Sequence, residues 1–219
     1  MKFNFDKDYY NGRGVTKKSN YSDYTNAEKV SNYFFSIMTK NDFFNDVSRI
    51  LDVGCAFGYM INKCANTYNC PTTGVDVSQY AIQKAKKNFL KTNFLVSDLN
   101  SNISLEAESF SNIIMLDVIE HLDSPHNTLI DLRKLLKDGG KIIIRTPNIM
   151  SIERFLRGKK FHGYKDDSHI YLFCFQTLKH LLEKSGFKVI SYGSDSYPFP
   201  FMKNITIGGS IWIIAEKNI

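Results

Sequence analysis

The stretch Ile50-Leu51-Asp52-Val53-Gly54-Cys55-Ala56-Phe57-Gly58-Tyr59 decides the fold. It reads as a buried strand, a glycine turn and the start of a helix. Gly54 lets the chain turn sharply and lets a ligand approach the backbone. Gly58 lets the helix pack close beneath that ligand. The helix start offers unpaired N–H groups to an anion such as a carboxylate or phosphate. Taken alone, the same string is equally an ordinary strand-to-helix turn, so its surroundings carry the argument.

Downstream, short β-branched runs alternate with helical stretches. The runs are 49–53, 72–76, 93–96, 112–116 and 141–146. Helices fit between them at 59–66, 78–90 and 124–136, the last opened by Ser124 and Pro125 and stopped by Gly139-Gly140. This alternation predicts a parallel sheet with right-handed crossovers and helices on both faces. Upstream, residues 1–48 carry one amphipathic helix over 27–39 and precede the domain that spans 49–219. Beyond 146 the rhythm breaks. Residues 147–173 are polar, basic and aromatic, then a helix over 176–185 precedes two strands, 187–191 and 205–216. With no helix between them, those strands should pair antiparallel.

With 219 residues and 43% hydrophobic content, the chain is one domain with appendages and can bury a full core. Charged residues at 23% exclude a disordered or fibrous chain. The net charge of +6 allows an anionic substrate. Four cysteines without a two-residue gap fit neither a zinc knuckle nor a disulfide framework, so a reducing cytoplasm is expected. No apolar stretch is long enough to span a bilayer as a helix, and no signal peptide is visible, so stable membrane insertion is not expected.

Two further acids support a ligand site. Asp76 ends the second strand, where a carboxylate takes both hydroxyls of a ribose. Asp98 ends the third, where it would meet an adenine amino group. Together with Asp52 they stand at the carboxyl ends of consecutive strands and describe a nucleoside site at the topological switch point. Dinucleotide enzymes carry G-x-G-x-x-G, whereas this loop reads G-x-x-x-G with Asp52 just ahead. Asp52 repels a pyrophosphate and suits an ammonium group, so a nucleoside bearing an amino acid fits better than NAD.

On these residues the chain resembles the class I S-adenosylmethionine (SAM)-dependent methyltransferases. It is similar to the group that includes ubiquinone-biosynthesis O-methyltransferases and sugar or small-molecule methyltransferases. LDVGCAFG resembles the SAM loop, GVDVSQYAIQKAK the ribose strand and helix, and SDL the adenine acid. IIMLDVIEHLDSP, LLKDGGKIIIRTPN and DSHIYLFCFQTLKHLLEKSGF resemble the fourth strand, the fifth strand and the lead into the last helix. The resemblance implies a doubly wound, Rossmann-like α/β sheet of seven strands, in the order 3-2-1-4-5-7-6 with strand seven antiparallel. It also implies SAM as cofactor, with S-adenosylhomocysteine (SAH) as product.

Carried over position by position, the resemblance gives Asp52 and Gly54, with backbone from Cys55 and Ala56, to the methionine end, and counts Gly58 among the cofactor-binding positions. Asp76 goes to the ribose, Val77, Asp98 and Leu99 to the adenine, and Leu116 and Asp117 below the sulfonium. Tyr9-Tyr10-Asn11-Gly12 and the segment ending in Tyr24 resemble the cap in which a tyrosine closes over SAM. Cys174 stands where the family has Thr or Ser, and cysteine caps poorly, so the last helix should start late or fray. Asp117, Glu120 and His121 share a helical face and could hold a divalent cation. The reading preferred here is that Glu120 and His121 order the loop and that no metal is held. His121, His169 and Asp117 are the catalytic candidates.

The expected reaction is methyl transfer to an oxygen of a small-molecule acceptor such as a sugar or nucleotide-linked sugar. N-methylation and a non-catalytic SAM-binding subunit are the alternatives. No Asn-Pro-Pro-Tyr follows the fourth strand and no basic tail is present, which speaks against nucleic acid. Arg154, Arg157, Lys159, Lys160 and Lys165 oppose a single acid, Glu153, within 151–165. They would grip an anionic acceptor, with Tyr197, Phe199, Phe201 and Met202 supplying apolar surface.

Overall fold

The computed structural model describes residues 5–10, 24–101, 103–196 and 199–218. Two helices precede the sheet, α1 (Lys7–Tyr10) and α2 (Tyr24–Lys40). The parallel core follows as β1 (Ile50–Val53), α3 (Tyr59–Tyr68), β2 (Thr72–Asp76), α4 (Gln79–Asn88), β3 (Asn93–Val96) and β4 (Phe110–Leu116). After it come α5 (Pro125–Leu135), β5 (Leu136–Pro147), α6 (Ile152–Arg157) and α7 (Phe175–Lys184). The chain closes with β6 (Phe187–Ser196), β7 (Phe199–Lys203) and β8 (Ser210–Lys217).

The sheet runs β3-β2-β1-β4-β5-β8-β6-β7. This is the expected doubly wound order, with β8 antiparallel to both β5 and β6. An additional short edge strand, β7, arises where the chain after β6 folds back as a hairpin. The last strand therefore starts at Ser210 rather than at 205. The preceding stretch is held instead by Ser194 Oγ, which donates to Ile205 O at 2.7 Å, and by the N–H of Ile152, which donates to Ile207 O.

Side chains alternate across the pleat and split the core in two. Leu51, Val53, Ile113, Met115, Ile142, Ile144 and Ile213 pack with Leu129, Leu132, Leu178 and Leu182 of α5 and α7. Ile50, Ile114, Ile143, Trp212 and Ile214 pack on the other face with Ile61, Cys64 and Ile82. Phe34, Ile37 and Met38 of α2, with Phe43 and Phe44 beyond it, join this second cluster. The stretch from α2 onward thus contributes apolar core. Burying each such large side chain is worth roughly 1.5–3 kcal/mol.

Two local expectations need correction. α5 ends at Leu135, ahead of the glycines, because Leu136 is drawn into the sheet opposite Phe110. α7 starts at Phe175 and is capped despite Cys174, because the hydroxyl of Thr177 accepts from the Cys174 N–H at 3.0 Å. The Cys174 sulfur itself accepts from the Thr177 N–H and completes the capping box.

Candidate functional site

The loop after β1 is folded by its own backbone. Gly54 N and Cys55 N both donate to Val75 O, at 2.8 and 3.0 Å. This leaves Ala56 at a φ of 47°. Its N–H then reaches Asp76 Oδ2 at 2.8 Å, and Ser78 N reaches Asp76 Oδ1 at 2.8 Å. Gly54 has a φ of +72°, and a Cβ there would lie 2.2 Å from Val118 Cγ2. No other residue fits without displacing the loop after β4. Burial pushes the Asp76 carboxyl up, and hydrogen bonds from Ser78, Ala56 and the Tyr10 hydroxyl counter it.

At the carboxyl ends of β1 to β4, where the strand order reverses, lies a cavity of about 330 Å³. β2, β3 and their loops line it with Asp76, Val77, Ser97, Asp98 and Leu99. Gly54, Ala56, Leu116, Asp117 and Val118 line it from β1 and β4, and Phe5, Tyr9, Tyr10, His121, Leu122 and Ile170 complete it. Tyr9 and Tyr10 are anchored there. The Tyr9 hydroxyl donates to Asp166 Oδ2 at 3.1 Å, and the Tyr10 ring packs on Phe57 at 4.7 Å.

Most of the expected cofactor residues line this cavity, and some do not. Asp52 is buried in β1 outside the lining, and burial, with Asp76 beside it, pushes its carboxyl well up. Cys55 and Gly58 also lie outside the lining. A Cβ at Gly58 would meet the Phe94 ring at 2.6 Å, so this glycine serves the packing of α3. Tyr24 opens α2, and its side chain lies outside the described residues, as do Asn11 and Gly12.

Asp117 lines the cavity in a left-handed conformation, φ 54°. Its carboxylate is paired with Arg145, whose Nη2 also donates to Asp195 Oδ2 at 2.8 Å. Burial opposes the charge on Arg145, but Asp117 and Asp195 outweigh it and hold the guanidinium protonated. Sequence reasoning missed this pair. The signal was a single charge in the otherwise apolar strand run Ile142-Ile143-Ile144-Arg145. Asp117 is thereby committed to an ion pair and does not join Glu120 and His121 as a ligand set.

Glu120, His121 and His169 do converge, with one potential ligand atom from each lying within 4.8 Å of the others. His121 lines the cavity, and its Nδ1 lies 3.2 Å from Ser168 O. A carbonyl only accepts, so Nδ1 carries the proton and Nε2 keeps its lone pair. Burial first, then His169, lowers the His121 pKa to about 4, so the ring is neutral at neutral pH. His169 Nδ1 bonds Gly163 O at 2.8 Å, and its Nε2 is 4.0 Å from Glu120 Oε1. Burial and the neighbouring Asp117 push Glu120 well up, while Thr146 Oγ1 donates to its Oε2 at 3.0 Å. None of Arg154, Arg157, Lys159, Lys160 and Lys165 lines the cavity.

Residues 23–192 match the model of a methyltransferase domain family. A mitochondrial ubiquinone biosynthesis O-methyltransferase from Candida albicans is 30% identical over 51% of this chain and 36% of its own length. The Maricaulis maris ubiquinone biosynthesis O-methyltransferase is 31% identical over 46% of this chain and 41% of its own. The chain thus spans about two fifths of the length of these curated relatives. Among solved structures, a Thermotoga maritima SAM-dependent methyltransferase, described as a possible histamine N-methyltransferase, superposes with a TM-score of 0.71. It covers 96% of this chain and 99% of its own at 19% identity, a likeness of fold.

Proposed function

The chain belongs to the methyltransferase domain family of class I SAM-dependent enzymes, and from that premise we propose that it transfers the SAM methyl group to an oxygen of a small-molecule acceptor. One observation carries this reading. A single cavity joins the two acids Asp76 and Asp98 to the neutral ring of His121. The residues present fit SAM: carboxylates at the β2 and β3 ends for a nucleoside, and the Gly54–Ala56 strip for an amino-acid chain. SAM supplies an activated methyl group on a sulfonium.

The protein's share is then alignment, a proton acceptor and exclusion of water. Each Asp76 oxygen takes one N–H, and a ribose hydroxyl would share the remaining lone pairs with, or replace, the Tyr10 hydroxyl. Phe5, Tyr9 and Tyr10 form the cavity's cover and support the reading of the N-terminal segment as a lid. His121 Nε2 is the candidate general base. Ser168 fixes its tautomer, and the His169 ring packs edge-on against it at 4.7 Å. Such a base contributes a factor of roughly 10²–10⁴.

The acceptor end is walled by Phe5, Leu122, Val118 and Ile170. These walls suit a flat hydroxylated ring better than a bare sugar, and the O-methyltransferase names of the curated relatives agree with oxygen as the nucleophile. The expected test is methyl transfer from methyl-labelled SAM to a panel of phenols, catechols, sugars and amines. Transfer to hydroxyls that is lost in His121→Gln supports the reading. Transfer to amines alone, indifferent to that substitution, overturns it in favour of N-methylation.

A second reading has its own observation, the convergence of Glu120, His121 and His169. A divalent cation held there would polarise the acceptor hydroxyl instead. The general-base reading expects EDTA to leave turnover unchanged. Loss with EDTA and recovery with Mg²⁺ or Zn²⁺ favours the cation.

A further inference from the structure

The cations expected to grip an acceptor do not line the cavity, and they stand among apolar side chains that face water. Met150, Ile152, Phe155 and Leu156 are 56%, 50%, 69% and 81% exposed. Phe155 and Leu156 lie three and four residues after Ile152, so the three share a face of α6. Ile152 N donates to Ile207 O at 3.0 Å, which brings exposed Ile205 and Ile207 alongside. Apolar groups clustered this way mark an interaction surface.

The charges around them have one sign. Arg157, Lys159, Lys160 and Lys203 are exposed, and the Arg154 guanidinium lies 4.6 Å over the Phe155 ring. Glu153, the single acid within 150–165, is engaged by Arg157 at 3.3 Å. Asp166, just beyond, is turned inward to Ser168 and Tyr9. Asp167 is exposed and is outnumbered.

We propose that this face docks on the surface of an anionic lipid bilayer. Phe155, Leu156 and Ile152 enter the headgroup layer, and the arginines and lysines bind lipid phosphates. Side chains this exposed form a knob. A bilayer interface accepts a knob of any shape, whereas a protein partner would need a matching groove. Among the described residues no helix is long and apolar enough to cross a membrane, so the contact is interfacial. The proposal stands apart from methyl transfer, and its test involves no turnover.

The test is cosedimentation of the full chain with phosphatidylcholine vesicles, with and without about one third phosphatidylglycerol. Binding is expected only to the anionic vesicles, and it should weaken as salt is raised. Replacing Phe155→Asp and Leu156→Asp together should cut binding at least about tenfold. Lys159→Glu with Lys160→Glu should do the same. Leu90→Asp is the control: Leu90 is equally exposed but precedes β3 at the opposite edge of the sheet, and binding should persist. Unchanged melting temperatures show that losses are not unfolding. Three results would overturn the proposal. They are no binding to either vesicle, equal binding to both, and undiminished binding by the Phe155/Leu156 variant. A concentration-dependent dimer abolished by that variant, with no vesicle binding, would assign the face to self-association instead.

Discussion

The two ends of the cavity are built differently. At the end proposed for the nucleoside, Asp76 is held by the N–H groups of Ser78, two residues away, and Ala56, on the adjoining turn. Backbone donors fixed by short turns keep their geometry whatever the neighbouring side chains are. At the end proposed for the acceptor, Asp117 is held by Arg145, which is held by Asp195, and His121 is held by Ser168. These partners are 28, 50 and 47 residues apart. The first end therefore resists substitution around it, while the second depends on side chains from β5, β6 and the segment before α7. That contrast suits a cofactor site that stays constant beside an acceptor site that varies.

The largest effect should separate the ends by chemistry. His121→Gln is expected to lower kcat by roughly 10²–10⁴ and to leave SAH affinity nearly intact. His169→Ala should lose less, because it acts through its neighbour. His126→Ala should lose least, since His126 bonds only Ser185 Oγ, away from the cavity. Equal losses in all three would remove histidine base catalysis from the acceptor end.

A smaller effect should mark the nucleoside end. Each charge-assisted hydrogen bond from a ribose to Asp76 is worth roughly 1.5–3 kcal/mol. Asp76→Ala should weaken SAH binding at least about tenfold by calorimetry. If affinity is unchanged, the ribose is held elsewhere and the contrast between the ends collapses.

The smallest effect lies in stability. The His121 pKa falls from the usual 6.5 to about 4 on folding. Between those values the unfolded chain binds more protons, so this residue makes stability rise with pH through that window and fall as pH drops. The Tm of the wild type relative to His121→Gln should therefore decline as pH is lowered from 6.5 towards 4. A difference that stays constant across the window would show that the ring is not buried neutral.

The same contrast explains what the sequence made legible. Asp76 and Asp98 were visible because a strand end next to a glycine turn is a local pattern. Gly54 was visible because only glycine fits its conformation. Arg145 and Asp195 were not, because their meeting depends on β5 and β6 being brought together through β8, a non-local event. Asp52 is adjacent in sequence to the loop, but it is buried in β1 and does not line the cavity. Cys174 misled because a cap can be supplied from Thr177 as well as from the capping position itself.

The most direct test is a crystal structure of the chain with SAH. The ribose hydroxyls should lie on Asp76, the adenine beside Asp98 and Leu99, and the sulfur between Asp117 and the open space before His121. SAH bound with its ribose away from Asp76, or with its sulfur facing away from His121, would contradict the assignment of the two ends.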